Sequence, residues 1–535
     1  MSHVNLVFKL HWVAAVCLVA TAAPPENVDE WTMLTTRASE AYSRGAYAES
    51  EKLYESALTL ARKLAGEDDR LAAALSNLGT CYRAQGRYPE AEKLYRRALE
   101  LREATFGPRH PQTGIIVNNL ATLYHASGRY AEAEPLFLRS LAIWEAAPDE
   151  NEGHIATALN NLGGLYRAQA RYAAAEPLYR RALELNEKIF GPKDASVALV
   201  LNNLGVLYQN QGHYDLARQL HTRALAIREP LLGPDHPDVA VSLTNLGDVY
   251  RNQWLFAEAQ PLYERAIRIR EKSLGPNHPQ VAETLNSLGV LYKTQGRYAE
   301  AEALFRHTLA IAEQALGPAH PRFAIVLNNL GQVSAAQGKY EEAQRLYERA
   351  LGIWEKALGP NHPDVAPGLN NLASVYFSRH KYGEAEKLYR RALEIDETHL
   401  GPAHSVIASD LNNLGTIHYV RHQYVEAEQY YARSIAMYER TAGRDNPTLA
   451  DPLLNLAILY TAERRFAESA PLYLRALPLR ERVLGAEHPK LAEALENYAV
   501  VMRKLEEYAE AEKAQVRATR IRVRMALRAE SEAGQ

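Results

Sequence analysis

The amino-acid sequence predicts an all-α fold, a right-handed superhelical solenoid of about twelve helix-turn-helix repeats. Three observations carry this prediction. One motif recurs with a 42-residue period, each copy holds two apolar stripes at helical spacing, and Gly and Pro residues separate the stripes. A fixed period of roughly 20 to 50 residues is typical of an array in which each unit stacks only on its neighbours.

The period is marked by a Leu that follows a pair of polar residues, usually Asn-Asn. Its copies stand 42 residues apart at Leu78, Leu120, Leu162, Leu204, Leu246, Leu288, Leu330, Leu372, Leu414 and Leu456, and Tyr498 takes the eleventh place. One further unit without this opening precedes them, from Arg37 to Asp69. A domain needs about 50 residues or more, so the units leave no room for a separate catalytic domain.

The clearest copy runs from Leu199 to Ala240 and reads LVLNNLGVLYQNQGHYDLARQLHTRALAIREPLLGPDHPDVA. Its predicted first helix carries one apolar stripe, formed by Leu201, Leu204, Leu207 and Tyr208. Gly205 lies inside this stripe, where Gly costs about 1 kcal/mol relative to Ala. We interpret it as a point of close approach by a neighbouring helix. Gly212 is expected to end the first helix with a positive φ.

The small-residue pattern of this copy resembles the tetratricopeptide repeat. The residues that carry the resemblance are Leu201, Leu204, Gly205, Tyr208, Ala217, His221 in an aromatic position, and Ala224. The 42-residue length, the LNNLG opening and the GPxHPxVA closing are similar to the kinesin-light-chain variety. The resemblance covers the chain from about Met33 to Leu527. It implies a concave groove that is lined by the first helices.

The composition argues against several classes of function. The formal net charge is −3 and the pI is about 6.7, which is no electrostatic footprint for nucleic acid. The only cysteines are Cys17 and Cys81, so we expect neither a disulfide framework nor a cysteine metal site. The sequence has no HExxH motif, phosphate-binding Gly loop, dinucleotide fingerprint or GxSxG motif. We therefore expect no catalytic or metal residues, no cofactor and no small-molecule substrate.

The first 23 residues differ from the rest. Lys9 and His11 precede an apolar run, and Ala20-Thr21-Ala22 resembles a cleavage site. We predict a signal peptide over residues 1–23, a spacer over 24–33, the repeat array over 34–528 and a tail over 529–535. The alternatives are an uncleaved anchor and a misassigned start. With a real signal the protein is exported, to the periplasm or outside the cell, and otherwise it is cytoplasmic. We expect no membrane-spanning segment after cleavage.

The second Asn of each pair forms the candidate binding site, which we call the Asn column. It consists of Asn77, Asn119, Asn161, Asn203, Asn245, Asn329, Asn371, Asn413 and Asn455. Asn is a poor helix former, so its recurrence at one helical position needs a compensation. Two interpretations remain open: the amides bond the neighbouring repeat, or they line the groove and bond the backbone of an extended guest. The resemblance to kinesin light chains implies the second.

Two other columns of residues recur. The histidines at His110, His236, His278, His320, His362, His404 and His488 lie in different inter-repeat turns, too far apart for one metal ion. All but His404 precede Pro, which favours a role in turns or at helix starts. An Arg column on the second helices, at Arg97, Arg139, Arg181, Arg223, Arg265, Arg349, Arg391, Arg433, Arg475 and Arg517, is expected to pair locally with Glu.

Three local features depart from the repeat. Residues 148–153 are expected to form an acidic loop at a less tightly packed junction. Trp254, in a turn, is either an anchor for a partner or a cover for its own helix pair. In the last repeat, we expect a capping helix whose inward-packing residues are Ile521, Val523, Met525 and Leu527.

The sequence therefore predicts a non-catalytic protein–protein interaction scaffold. Its concave groove would bind an extended peptide segment of a partner. The alternative is a structural or self-assembling solenoid in the cell envelope, stacked end to end or through its convex face.

Overall fold

The computed structural model describes residues 30–63, 68–169, 171–400 and 404–533. These residues form 24 α-helices and one short 3-10 helix, with no strand among them. The repeated helix pairs confirm the all-α solenoid. The predicted signal peptide lies outside the described residues, so its prediction stays open.

The helices alternate between the first and second helix of each repeat. In chain order they are α1 Glu30–Ser43, α2 Tyr47–Lys63, α3 Asp68–Ala84, α4 Tyr88–Phe106, α5 Pro111–Ala126, α6 Tyr130–Glu145, α7 Pro148–Ala168, α8 Tyr172–Phe190, α9 Ala195–Asn210, α10 Tyr214–Leu232, α11 Pro237–Asn252, α12 Phe256–Leu274, α13 Pro279–Thr294, α14 Tyr298–Leu316, α15 Pro321–Ala336, α16 Tyr340–Leu358, α17 Val365–Ser378, α18 Tyr382–Leu400, α19 Ser405–Val420, α20 Tyr424–Ala442, α21 Ala450–Ala462, α22 Phe466–Leu484, α23 Pro489–Lys504 and α24 Tyr508–Ala533. The 3-10 helix Pro447–Leu449 precedes α21.

The described residues divide into two compact units, a first unit up to Gly368 and a second unit from Leu369 onward. Within each unit the two helices of a repeat pack together, and each second helix packs against the next first helix. Successive first helices also touch, as α3–α5 and α5–α7 do in the first unit and α19–α21 does in the second. Successive second helices approach each other less closely, so the first helices lie on the inner side of each curved array.

Where a first helix carries Gly in its apolar stripe, a ring of the second helix explains it. A Cβ at Gly205 would lie 2.7 Å from Cε1 of His221, which belongs to the second helix of the same repeat. A Cβ at Gly331 would lie 2.7 Å from Cε1 of Tyr347. The predicted close approach is therefore confirmed. Gly212 ends α9 with a φ of 79°, also as predicted.

In the first unit the superhelical array also contacts itself, because a repeat touches the one that lies six repeats further along the chain. The turn of the first repeat holds Gly45, and a Cβ there would lie 2.5 Å from Nε2 of His278, just before α13 of the seventh repeat. The turn at Gly86 meets His320 and Pro321 in the same way, and Gly128 meets His362. We call these three sites the turn-to-turn contacts. About six repeats therefore complete one superhelical turn in this unit.

The predicted acidic loop at residues 148–153 is wrong, because α7 begins at Pro148. Pro is compatible with the first helical position, and Asp149 and Glu150 interact favourably with the helix dipole there. The Asn151 amide donates a hydrogen bond to the Ala147 carbonyl oxygen at 2.8 Å. The acidic residues thus extend the helix instead of interrupting it.

The prediction that four apolar residues of the last helix pack inward is wrong for three of them. Ile521 is 3% exposed, whereas Val523, Met525 and Leu527 are exposed, Leu527 by 59%. Residues two positions apart on a helix point to nearly opposite sides. The four side chains therefore cannot all pack against one neighbouring helix, and only the side of the helix that carries Ile521 is buried.

Candidate functional site

The Asn column lies on the first helices, one residue per repeat. Its amides form hydrogen bonds to the preceding repeat: Nδ2 of Asn203 donates to Oδ1 of Asn160 at 2.8 Å. The equivalent pairs are Asn161 to Asn118 at 3.2 Å, Asn329 to Asn286 at 2.8 Å and Asn455 to Asn412 at 2.9 Å, and Asn119 donates to Oγ of Ser76 at 3.3 Å. The structural interpretation of the column is thus observed in these five repeats.

Exposure divides the column into two sets. Five members are at most 5% exposed: Asn77, Asn119, Asn161, Asn203 and Asn245. The others are only half-buried: Asn329 in the first unit and Asn371, Asn413 and Asn455 in the second. The second set is therefore the part of the column that is less shielded from a guest. Peptide binding by the column remains a prediction for all nine residues.

In the second unit a second row of half-buried residues accompanies the accessible Asn residues. It lies three positions further along the same helices, at Ser374, Thr416 and Ile458. Residues at i and i+3 share a helix face. The Ser374 hydroxyl donates to the Asn371 carbonyl oxygen at 2.8 Å, and the Thr416 hydroxyl donates to the Asn412 carbonyl oxygen at 3.0 Å. The surface beside the amides thus changes from polar to apolar along the unit.

The His column has the predicted helix-start role. In each case Nδ1 accepts a hydrogen bond from the backbone N–H two residues later, at 3.2 Å for His110 and 3.1 Å for His488. These rings cap the N-termini of α5, α11, α13, α15, α19 and α23, and His362 makes the same bond before α17. In the described part of the chain, no cluster of three or more His, Cys, Asp or Glu residues is arranged to hold a metal ion.

Seven members of the Arg column form ion pairs with the previous repeat, whereas Arg97 pairs locally, as predicted, with Glu100 at 2.8 Å. Arg139 pairs with Glu103 at 2.6 Å, and Arg475 pairs with Glu439 at 2.6 Å. The same connection links Arg181 to Glu145, Arg223 to Glu187, Arg265 to Glu229, Arg433 to Glu397 and Arg517 to Glu481. Because the side chains are partly exposed, each pair contributes little to stability.

A recurring Glu–Tyr–Arg cluster was not predicted from the sequence. Glu134 accepts hydrogen bonds from the Tyr166 hydroxyl at 2.8 Å and from Arg171 Nη1 at 2.9 Å. The Arg171 guanidinium also lies over the Tyr166 ring, 3.9 Å from its centroid. Glu428, Tyr460 and Arg465 repeat the arrangement in the second unit. The sequence feature that could have revealed this cluster is the fixed spacing of Glu, Tyr and Arg across neighbouring repeats.

Trp254 packs on its own helix pair and is also exposed, and a role as an anchor for a partner stays a prediction. It is 52% exposed, and its ring packs edge-to-face on Phe256 of its own helix pair with centroids 5.7 Å apart. Its φ of 64° is unusual for a bulky residue and belongs to a turn position that Gly fills in some repeats, as Gly212 and Gly296 do. His380 and Arg464 hold the same position in other repeats, each with a φ of 61°. Neighbouring Leu255 is exposed as well.

Neither a reactive thiol nor a spanning helix is found among the described residues. Cys81 is buried and unpaired, its Sγ lies 3.4 Å from the Tyr47 carbonyl oxygen, and burial raises its pKa to about 11. The thiolate that a nucleophile needs is therefore scarce at neutral pH. No helix of the described chain is long and apolar enough to cross a bilayer.

No curated protein matches the chain. Among solved structures it is similar to BtubC (BKLC) from P. vanneervenii, with 31% identity over 46% of this chain and 94% of that one and a TM-score of 0.36. It is also similar to a putative kinesin light chain with nearly identical TPR-like repeats from Podosopora anserina, with 26% identity over 38% of this chain and 97% of that one and a TM-score of 0.32.

The tetratricopeptide repeat profile matches residues 32–104, 70–146, 154–229, 196–254, 255–314, 322–398, 406–482 and 449–522. The resemblance to the tetratricopeptide repeat is thereby confirmed. Because the matches span most of the chain, it belongs to the tetratricopeptide repeat family.

Proposed function

We propose that this protein is a non-catalytic scaffold that binds an extended segment of a partner protein along the first helices of its second unit. The carrying observation is the row of accessible amides at Asn371, Asn413 and Asn455. Tetratricopeptide repeat proteins are generally protein-interaction scaffolds, and their fold is typically non-catalytic. Both facts support the proposal.

The chemistry of the Asn amide suits such a guest. Each side-chain amide offers two donors and an acceptor oxygen, so one bond to the preceding repeat leaves capacity for another partner. An extended chain advances about 3.3 Å per residue, and packed helices lie about 8–10 Å apart. About one Asn per three guest residues would therefore meet the guest backbone, which gives affinity without a strict demand on sequence.

Crosslinking combined with mass spectrometry tests the proposal. The protein purified with its partner from its own cells is expected to crosslink through residues near α17, α19 and α21, to one continuous segment of the partner. An Asn371→Ala, Asn413→Ala variant should lose these crosslinks. A Lys387→Ala, Gln429→Ala variant, altered on exposed second-helix positions of the same repeats, should keep them. Crosslinks confined to second helices would refute the groove.

We also propose export directed by residues 1–23. The supporting features are the basic residues, the short apolar run and the small-residue site of the sequence. Mass spectrometry of the protein from its own cells should find a mature N-terminus near Ala23 or Pro24. An intact Met1 would contradict export.

A second candidate function is self-assembly through the last helix. Val516, Val523 and Leu527 of α24 are exposed apolar residues, and a contact with a second copy would remove them from water. Light scattering of the purified protein should then show growth with concentration, and Val523→Glu, Leu527→Glu should abolish it. A constant particle mass over a wide concentration range would exclude this function.

A further inference from the structure

Two buried carboxyl groups meet at the junction of the ninth and tenth repeats, in the second unit. Asp396 of α18 is 3% exposed and Asp410 of α19 is 0% exposed. We call these two residues the acidic pair, and their side chains are joined by a hydrogen bond. The Asn370 amide of α17 adds another bond, from its Nδ2 to Oδ1 of Asp410 at 2.6 Å. Side chains of three helices therefore converge here.

The same positions are in direct contact at other junctions of the chain. In the fifth and sixth repeats Nη1 of Arg228 donates to the Ser242 hydroxyl oxygen at 3.1 Å, and Nδ2 of Asn202 donates to it at 3.0 Å. These three residues lie four repeats before the acidic pair and its amide partner. One repeat after them, Arg270 donates to the Thr284 hydroxyl oxygen. A cation and a hydroxyl therefore fill at these junctions the positions that two acids fill in the second unit.

The acidic pair has no cation beside it among the described residues. The charged or titratable groups that act on it are Glu397, Tyr389 and Tyr438. Glu397 adds negative charge from α18. Burial raises the pKa of Tyr389, on α18, and of Tyr438, on α20, so both stay uncharged at neutral pH. The neighbouring α17 contributes the neutral Asn370 amide.

A bond between two carboxyl groups requires a proton, because ionised carboxylates can only accept hydrogen bonds. Oδ2 of Asp396 and Oδ2 of Asp410 are both buried, and no other group of the described chain donates to them. Two buried carboxylates side by side would also leave both charges uncompensated, which is costly. Burial raises the pKa of both carboxyls, and Asp410 raises that of Asp396 further. The pair therefore keeps one proton well above about pH 4, where an exposed Asp has lost it.

We propose that the acidic pair is a proton-operated switch, in which one shared proton holds α18 against α19 and its loss opens their junction. The step is an acid dissociation: the carboxyl O–H bond breaks, its electron pair stays on the oxygen, and the proton passes to water. The two carboxylates then repel each other where little water screens them. Asn371 lies in the ninth repeat and Asn413 in the tenth, so the switch acts between two amides of the proposed groove. An effect on a guest would rest on the proposed function, whereas the switch itself does not.

The switch predicts that the junction opens more readily as the pH rises. An Asp in the opened junction has its ordinary pKa of about 3.9, so opening releases the shared proton at neutral pH. The stability from this proton is complete below about pH 4 and is lost as the pH rises through the raised pKa of the pair. His404, which caps α19, acts in the opposite direction, because burial lowers its pKa to about 4. Its contribution is complete above about pH 6.5, so the test starts there.

The measurement is amide hydrogen exchange of α18 and α19 from about pH 6.5 to about pH 8.5, in the full-length wild type and in Asp410→Asn. The amide of the variant donates permanently to Asp396 and its oxygen still accepts from Asn370, so no shared proton is needed. The ratio of wild-type to variant exchange removes the intrinsic pH dependence of exchange. We expect this ratio to rise up to about tenfold for each pH unit at which the folded wild type still holds the proton.

A second variant and two controls make the test independent of one substitution. Asp396→Arg, Asp410→Thr introduces the pair that Arg270 and Thr284 form, and it should show the same slow, proton-independent exchange as the first variant. Glu394→Gln changes an exposed carboxylate of α18 and should exchange like the wild type. CaCl2 and MgCl2, compared with NaCl at equal ionic strength, should leave the exchange of the wild type unchanged, because the switch binds a proton.

A ratio that stays constant over this pH range for both variants would overturn the proposal, as would an equal change in Glu394→Gln. Slower wild-type exchange in CaCl2 or MgCl2 that is absent from Asp410→Asn would put a metal ion in place of the proton and would also overturn it. No guest is present in these measurements. Failure of the switch therefore leaves the proposed groove at Asn371 and Asn413 untouched, and the reverse also holds.

Discussion

At the scale of single residues, an aromatic ring over a Gly sets the distance between the helices of a repeat. Several repeats tolerate Ala at the Gly position, as Ala373 does opposite Tyr389. The pairing was visible in the sequence because Gly205 costs helix stability and so required a packing reason. Which ring would cover it was not visible, because that depends on how the second helix crosses the first.

Substitution of two Gly residues in one repeat should give opposite results. At Gly331 a Cβ meets the Tyr347 ring, and at Gly352, inside α16, it meets nothing within 4 Å. Gly331→Ala should lower the free energy of unfolding by about 1–3 kcal/mol through overpacking. Gly352→Ala should raise it by about 0.5–1 kcal/mol through helix propensity. Chemical denaturation followed by circular dichroism measures both, and equal signs would contradict the packing account.

The hydrogen bonds of the Asn column should contribute most to stability where the column is buried. Asn203→Ala removes the donor to Asn160 and leaves a buried oxygen without that bond, at a cost of about 1–3 kcal/mol. A double-mutant cycle with Asn160→Ala isolates the pair, and the coupling should be at least about 0.5 kcal/mol. Additive single effects would show that the bond contributes nothing.

At the scale of helices, the predictions from the sequence were wrong where polar composition was taken as evidence of secondary structure. Residues 148–153 are acidic and still form the start of α7, because acidic residues favour a helix N-terminus. The apolar residues of α24 were predicted to pack inward together although they lie two positions apart. A helix cannot bury residues at that spacing on one side. The His residues before Pro were interpreted correctly as helix-start residues, because their chemistry acts locally.

The cap of α13 should make the first unit sensitive to acid. Burial lowers the pKa of His278 from 6.5 to about 4, with Arg270 and Arg322 lowering it and Glu283 raising it. The pKa of His278 is lower in the folded state than in the unfolded state. Its contribution to stability is therefore complete above about pH 6.5 and is lost as the pH falls towards 4. His278→Asn should flatten this part of the pH dependence of the thermal midpoint, since Asn446 caps the 3-10 helix Pro447–Leu449 in the same chain. An unchanged slope would contradict the assignment.

The turn-to-turn contacts can be tested with two Gly residues of similar φ. Gly45 has a φ of 72° and meets His278, whereas Gly296 has a φ of 78° and meets nothing within 4 Å. Gly45→Ala and Gly296→Ala both introduce the strain of a positive φ. The difference between their effects therefore measures the contact with His278. Only Gly45→Ala should speed amide hydrogen exchange at the start of α13. Equal effects would mean that the coil does not close there.

At the scale of the whole chain, the solenoid was predictable because its period repeats without interruption. Each repeat needs only its neighbours, so a local pattern sets the fold class. The return of the first unit onto itself after six repeats was not predictable, because it depends on small rotations that accumulate from repeat to repeat. The nine Asn residues therefore look equivalent in sequence, whereas Asn161 is buried and Asn413 is accessible.

One titration decides whether the half-buried Asn residues of the second unit bind an extended guest. The partner segment identified by crosslinking is synthesised as a peptide and titrated by calorimetry into the wild type, Asn371→Ala, Asn413→Ala and Lys387→Ala, Gln429→Ala. Each lost amide bond should cost about 0.5–1.5 kcal/mol. We predict an affinity about tenfold weaker for the Asn variant and unchanged for the other. Equal affinities for all three proteins would show that the Asn371 and Asn413 amides do not bind the guest.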